Sequence, residues 1–355
     1  MTQHEITVSV VGAAGYSGAE LVGLLLRHPS VRLLGLYGSE KRGALSAAER
    51  FDALHPRFRG ETDLTVEAAS IAAILERHPE VVFLCTPHEA SLELAPALRK
   101  AGVIVFDLSA AFRLRDPAHY PKHYGFSHHA HDALGEAVYG LPELHAAAIA
   151  QASLIACPGC YPTSVILPIA PLQRAGLLHA EAPIIVDSAS GVSGAGRSPA
   201  LKSLFCEVSF QPYGVFSHRH APEMEQECGS KVLFTPHLLP LDRGILSTIH
   251  PTLARCVSPD DLRQCLLAFY AESPFVRILP PGQWPSIAGV AQTNYCDIAV
   301  GGDESGQYAV IVSAIDNLLK GASGQAVQAF NLRFALPETT ALPGLPRAVM
   351  ADRVP

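Results

Sequence analysis

Val11-Gly12-Ala13-Ala14-Gly15-Tyr16-Ser17-Gly18 closes a β-rich run, Ile6–Val11, and opens a helical pattern, Gly18–Arg27, with Leu21, Leu24 and Leu25 on one face. A phosphate that approaches the backbone N–H groups of a helix N-terminus needs small residues there, because side chains would block it. The spacing is G-x-x-G-x-x-G rather than G-x-G-x-x-G, and such a turn alone also fits a plain strand–helix junction. Its place at the first βα junction favours dinucleotide binding through Gly12, Ala14, Gly15, Tyr16, Ser17 and Gly18.

Outward from this turn, strand-like and helix-like stretches alternate. Val31–Tyr37, Val81–Cys85 and Val103–Leu108 read as strands, and Ile71–Arg77 and Leu92–Ala101 as helices. Alternation of this kind predicts βαβ units and a parallel sheet. The second strand runs into Gly38-Ser39-Glu40-Lys41-Arg42-Gly43. An NAD site usually has Asp or Glu at that strand end for the ribose 2′-OH. Here Ser39 and Arg42, with Lys41, suit a 2′-phosphate, and Glu40 is expected to face solvent. NADP(H) is the expected cofactor; the alternative is a solvated charged loop.

Beyond Ala156 the texture changes. A helix is expected over Ser164–Leu178, strands over Ile184–Ser188, Ile245–Ile249 and Ala309–Ala314, and a long helix over Asp316–Phe334. The Pro-rich tail from Pro337 is expected on the surface. The 355 residues suit two domains, and 48% hydrophobic against 17% charged residues makes burial easy. A net charge of −7 gives no footprint for nucleic acid, and no apolar run reaches a membrane span. MTQHEITVSVVG lacks a basic n-region followed by a signal h-region, so a cytoplasmic location is expected. The eight cysteines are scattered and expected to be mostly reduced and buried.

The stretch richest in chemistry is Ala156-Cys157-Pro158-Gly159-Cys160-Tyr161-Pro162-Thr163. It fits three readings. A thioredoxin-type C-x-x-C pair would normally follow the first strand of a small domain. A zinc site would need more Cys or His at ligand spacing, and only His218 and His220 qualify. A single nucleophile, Cys160, at a helix N-terminus is favoured: Pro162 suits a first helical turn, and a helix N-terminus lowers a thiol's pKa from about 8.5. A nucleophilic thiol needs an acid or base partner. His218-Arg219-His220-Ala221-Pro222-Glu223 offers two histidines, which alternation along an extended segment would place on one face. Ser188–Arg197 is polar and glycine-rich; it reads equally as a flexible turn or as a loop presenting N–H groups to an anion.

Together these residues resemble the N-acetyl-γ-glutamyl-phosphate reductase family, related to aspartate-semialdehyde dehydrogenase. The matches run from Gly12–Gly18 through Thr86-Pro87-His88, Asp107-Leu108-Ser109 with Phe112-Arg113, Tyr139–Glu143 and Pro158–Thr163. They continue through Gly191–Arg197, His218–Glu223, Phe234–His237, Arg243–Ile245 and Asp316–Ala322. Cys157 stands where many members have Asn; it is read as an incidental neighbour that leaves an accidental Cys157–Cys160 disulfide open.

The resemblance implies an α/β protein. Its Rossmann-type NADP-binding domain would take in residues 1–156 and 317–355. An α+β catalytic and dimerisation domain with a mixed sheet would take in 157–316. It implies reduction of an acyl phosphate, N-acetyl-L-glutamyl 5-phosphate, to the semialdehyde with release of inorganic phosphate, in arginine biosynthesis. Cys160 would be the nucleophile and His220 the acid/base, with His218 as runner-up. Pro87, Ser190, Gly191 and Asn317 would join the cofactor set. Arg113, Ser193, Gly194, Arg197 and Glu223 would hold substrate. No metal is expected, and a homodimer or homotetramer is. Two rivals remain: the lysine-pathway homologue, whose substrate is one methylene longer, and a non-catalytic NADP-binding regulator.

Overall fold

Eight strands build the first sheet: β1 (Ile6–Val11), β2 (Val31–Gly38), β3 (Glu49–Arg50), β4 (Thr65–Ala68), β5 (Val81–Leu84), β6 (Ile104–Asp107), β7 (Val138–Tyr139) and β8 (Leu154–Ala156). The structure, a computed structural model, describes residues 5–38 and 48–344. The strand order is β3-β4-β2-β1-β5-β6-β8-β7, parallel except between β3 and β4. The central strands read as near-continuous apolar runs because helices cover both faces. Val82, Leu84 and Val105 pack with Leu92, Ala95 and Leu98 of the helix His88–Lys100. Strand alternation turns Phe83 and Phe106 to the other face, where both rings meet Phe330 of the helix Gly324–Arg333.

A second sheet has seven strands: β9 (Ile184–Gly191), β10 (Gln211–Pro212), β11 (Val232–Leu239), β12 (Ile245–His250), β13 (Val276–Ile278), β14 (Cys296–Gly302) and β15 (Ala309–Ile315). Its order is β10-β11-β9-β12-β15-β14-β13, and it is mixed: β9–β11 and β13–β14 are parallel, the other pairs antiparallel. Burial alternates along β11 and β12, so one face is covered. The cover is the helix Cys160–Arg174, whose residues from Tyr161 to Leu172 are all buried. A buried chain of hydroxyls ties it down. Ser247 Oγ meets Ser164 Oγ at 2.7 Å and Ser188 Oγ at 2.6 Å, and Ser313 Oγ donates to the Ser164 carbonyl.

Two compact units result: Met1–Pro158 with Ala322–Leu342, and Gly159–Gly321 with Pro343–Pro355. The first is discontinuous in sequence. Ser323 Oγ donates to the carbonyl of Ser17, anchoring the returning segment beside the first βα turn. The helix expected over Asp316–Phe334 is shorter. Asp316 accepts the N–H groups of Leu318 and Leu319 as an N-cap does, but the turn that follows is π rather than α. A π-turn, Leu319–Ser323, precedes the α-helix Gly324–Arg333. The helix expected from Ser164 begins earlier, at Cys160 itself. Of the tail expected on the surface, residues 338–343 are partly or fully buried, and Asn331 Nδ2 donates to the carbonyls of Glu338 and Thr340; residues 345–355 lie outside the described residues. Among the described residues no helix is long and apolar enough to cross a membrane.

Candidate active site

The first βα turn has the shape its sequence requires. Gly12 adopts φ +88°, and a Cβ there would overlap the carbonyl of Cys85. A Cβ on Gly18 would overlap the carbonyl of Gly12. The helix Tyr16–Leu26 starts from Gly15 with no side-chain cap and no acidic residue in its first turn. Neither the cap nor the first turn supplies a carboxylate to compete for its N-terminal N–H groups, which fits the pyrophosphate of a dinucleotide. Ala14 and Ser17 are half-buried beside it, and Tyr16 is exposed. Pro87 caps the helix His88–Lys100 at the carboxyl end of β5, the edge where parallel sheets bind ligands. Ser39 and Arg42 lie outside the described residues.

In the second unit Cys160 is the first residue of its helix. Gly159 is the N-cap, again without a side-chain cap, and no acidic residue follows in the first turn. The partial positive charge of a helix N-terminus falls at this residue. Cys160 is half-buried, and no disulfide joins any of the eight cysteines. Cys157, in the first unit, is buried, and burial pushes its thiol up, away from reactivity. This separates the two cysteines chemically.

Two histidines gather on the residue after Cys160. The ring of Tyr161 meets that of His218 at 5.5 Å and that of His220 at 6.1 Å, and the two imidazoles lie 4.8 Å apart. The expected extended segment is instead a turn: the Ala221 N–H donates to the His218 carbonyl, and His220 is the N-cap of the helix Ala221–Cys228. Pro222 in the first helical turn explains this. His218 Nδ1 accepts the backbone N–H of His220 at 3.2 Å, so its neutral form carries the proton on Nε2. His220 is buried and His218 half-buried. Three residues on, the carboxylate of Glu223 is fully buried and accepts the Gly159 N–H at 2.8 Å.

The other expected residues take varied places. Arg113 is buried in the first unit and donates from Nε to the Cys157 carbonyl and from Nη2 to the Leu108 carbonyl, holding the chain that leads to Cys160. The stretch 188–197, read equally as a flexible turn or as a loop presenting N–H groups to an anion, is packed as far as Ser193 and exposed from Gly194 to Arg197. The N–H groups of Gly191, Val192 and Ser193 donate to the carbonyls of Gly244, Leu241 and Asp242. A Cβ on Gly191 would crowd Arg243 at 2.8 Å, so at this residue two stretches of chain cross in close packing. Ser190 and Ser193 are buried, whereas Gly194 and Arg197 are exposed. Asn317 uses both ends of its amide: Oδ1 accepts the Gly244 N–H at 2.6 Å, and Nδ2 donates to Ser193 Oγ at 3.0 Å. Among the described residues no three His, Cys, Asp or Glu side chains gather as a metal site.

With this geometry in hand, relatives are informative. The chain is 46% identical over 335 residues to the N-acetyl-gamma-glutamyl-phosphate reductase of Moritella profunda, covering 94% of this chain and 98% of that one. It is 47% identical over 350 residues to the same-named protein of Moorella thermoacetica, covering 96% and 99%. The chain belongs to the N-acetyl-γ-glutamyl-phosphate reductase family. Within it, residues 7–152 match the description "Semialdehyde dehydrogenase, NAD binding domain", and residues 160–317 match "Semialdehyde dehydrogenase, dimerisation domain". The fold is shared with aspartate semialdehyde dehydrogenase II of Vibrio cholerae, at 18% identity and TM-score 0.69 over 94% of this chain and 99% of that one. It is also shared with the Candida albicans aspartate semialdehyde dehydrogenase solved with NADP, at 15% identity and TM-score 0.67 over 93% and 99%.

Two residues of this reductase-family site escape sequence reasoning. Tyr213 Oη donates to Tyr161 Oη at 3.0 Å, and the Tyr161 hydroxyl donates on to the His237 carbonyl. Burial, with the nearby Cys160, raises the Tyr213 hydroxyl to about 12. No local pattern links residues so far apart in the chain. The second is Gly321, whose neighbour is Cys160.

Proposed function

We propose that this chain reduces N-acetyl-L-glutamyl 5-phosphate to N-acetyl-L-glutamate 5-semialdehyde, through a thioester on Cys160. The observation that carries the reading is Cys160 as the first residue of an uncapped helix, with two imidazoles packed on its neighbour Tyr161. Cys160 thiolate attacks the acyl carbon, and the bond from that carbon to the phosphate oxygen breaks, releasing inorganic phosphate. NADPH, when bound, supplies the hydride that reduces the thioester carbon. His220 gives a proton to the resulting oxyanion and takes it back as the C–S bond breaks, freeing the aldehyde and the thiolate. His220 is preferred to His218 because the Nδ1 of His218 is held by a backbone N–H. The exposed guanidinium of Arg197 suits a substrate carboxylate or phosphate.

The first unit binds the dinucleotide at Gly12–Gly18, and NADP(H) is preferred over NAD(H) because Lys41 and Arg42 follow the second strand. Ile185 and Leu233 are exposed apolar residues on the uncovered face of the second sheet, which supports a homodimer or a homotetramer built on that face. The location in this reading is cytoplasmic.

Phosphate-dependent oxidation of the semialdehyde, followed as NADP+ reduction, tests the proposal. Activity with that aldehyde, lost in Cys160→Ser, supports it. Preference for the aldehyde one methylene longer would move the chain to the lysine-pathway reaction, a discrimination typically of about 1–3 kcal/mol.

A further inference from the structure

We infer that Gly321 positions the Cys160 side chain, so that the turn from Asp316 to Gly321 belongs to the machinery of the thiol although none of its atoms reacts. The inference rests on the reading of Cys160 as the nucleophile.

A Cβ placed on Gly321 would lie 2.8 Å from Cys160 Cβ and 3.2 Å from Cys160 Cα. Gly321 is not among the glycines with left-handed φ, so the demand for glycine here is one of space, not of backbone conformation. The atoms in the way are the root of the cysteine side chain, which cannot swing aside as a long side chain's tip can.

The turn cannot recoil easily. The Gly321 N–H donates to the Asp316 carbonyl at 2.9 Å, the i to i+5 bond of the π-turn Leu319–Ser323. Short π segments inside helices recur at functional sites. Asp316 is fully buried and pins the turn from its other side. Its Oδ1 accepts the N–H groups of Leu318 and Leu319, and its Oδ2 accepts the Gln292 N–H at 2.6 Å and Arg243 Nη1 at 3.2 Å. Leu319 and Lys320 are also buried. On the cysteine's own side, Gly159 is held by Glu223 through its N–H and by Thr163 through its carbonyl. A methyl group added at 321 would therefore be met by a shift of Cys160 from its seat at the helix N-terminus.

Gly321→Ala, made in the full chain, tests this with three readouts: thermal unfolding, kcat and KM for the acyl-phosphate reaction, and the rate at which iodoacetamide alkylates Cys160, followed on its own peptide. A small misplacement of a reacting group costs about 100-fold in rate, so kcat is expected to fall by roughly that factor with KM unchanged. Alkylation of Cys160 is expected to slow in the same variant. A wild-type alkylation rate, or a raised KM at wild-type kcat, overturns the inference. Should Gly321→Ala fail to fold, Asp316→Asn decides: it keeps the side chain's shape, weakens the Arg243 contact, and is expected to slow alkylation by a smaller factor, whereas an unchanged rate overturns the inference. Cys160→Ser separates the two claims. Full activity in that variant defeats the nucleophile reading, while the alkylation rates of wild type and Gly321→Ala still decide the packing claim.

Discussion

The carboxylate of Glu223 accepts the backbone N–H of Gly159 at 2.8 Å, one residue before Cys160. The same helix turn carries His220 as its N-cap, so one bond registers the imidazole segment against the start of the cysteine's helix. Removing the acceptor leaves a buried N–H unpaired, which costs about 1–3 kcal/mol. Glu223→Ala is therefore expected to lower the unfolding free energy by that amount and to depress kcat. Glu223→Gln keeps an acceptor and is expected to retain most of both. A raised KM with wild-type stability in Glu223→Ala would instead mark the carboxylate as a substrate ligand.

Ser247 joins Ser164 to Ser188 beneath the same helix. All three are buried; Ser247→Ala takes the Ser247 partner from the Ser188 hydroxyl, while Ser164 Oγ keeps its bond to the Tyr161 carbonyl. A loss of about 1–3 kcal/mol is expected in denaturant unfolding. Wild-type stability would mean that the Ser188 hydroxyl finds another partner.

Much of the first unit was legible because its signals are local. Gly12, Gly15 and Gly18 mark the turn by their spacing at a strand end, and β1, β5 and β6 are short apolar runs bounded by turn residues. Cys160 was legible through Pro162 and the run that follows. The partners of these residues were not. Tyr213 with Tyr161, Glu223 with Gly159 and Gly321 with Cys160 are separated by long stretches of chain, and only the folded path brings them together. The start of the last α-helix was misplaced because its first turn, Leu319–Ser323, closes as a π-turn, which the apolar pattern does not distinguish from an α-turn. The packing of 191–193 was hidden because the partners of their N–H groups lie about fifty positions away.

Gly12 is the least replaceable residue of the dinucleotide turn. It combines a left-handed φ with direct contact on the Cys85 carbonyl. Gly12→Ala is expected to weaken NADPH binding by about 5- to 150-fold, since backbone strain of this kind costs about 1–3 kcal/mol. Fluorescence titration of the cofactor checks it, and wild-type affinity would show that the turn relaxes.

Acid should destabilise the first unit through two histidines. Burial is the main cause that lowers both His28 and His128 below the ordinary imidazole range. His28 Nδ1 accepts the Ser30 N–H, so a proton there would face a donor. A histidine lowered in the folded state binds fewer protons than in the unfolded chain, so stability is held above the ordinary value near about 6.5 and is lost as pH falls through it. The urea midpoint is expected to be lower at about pH 5.5 than at about pH 7.5, and the drop to be smaller in His128→Phe. Equal midpoints at the two pH values would contradict this.

The thioester on Cys160 is the centre of the account, and it forms before any hydride moves. Mixing the enzyme with N-acetyl-L-glutamyl 5-phosphate in the absence of NADPH, quenching in acid and measuring the mass of the peptide that contains Cys160 tests it most directly. The account predicts that this peptide gains the mass of one N-acetylglutamyl group, removable by hydroxylamine and absent from Cys160→Ser. An unmodified Cys160 peptide from enzyme that then turns over normally on addition of NADPH would contradict it.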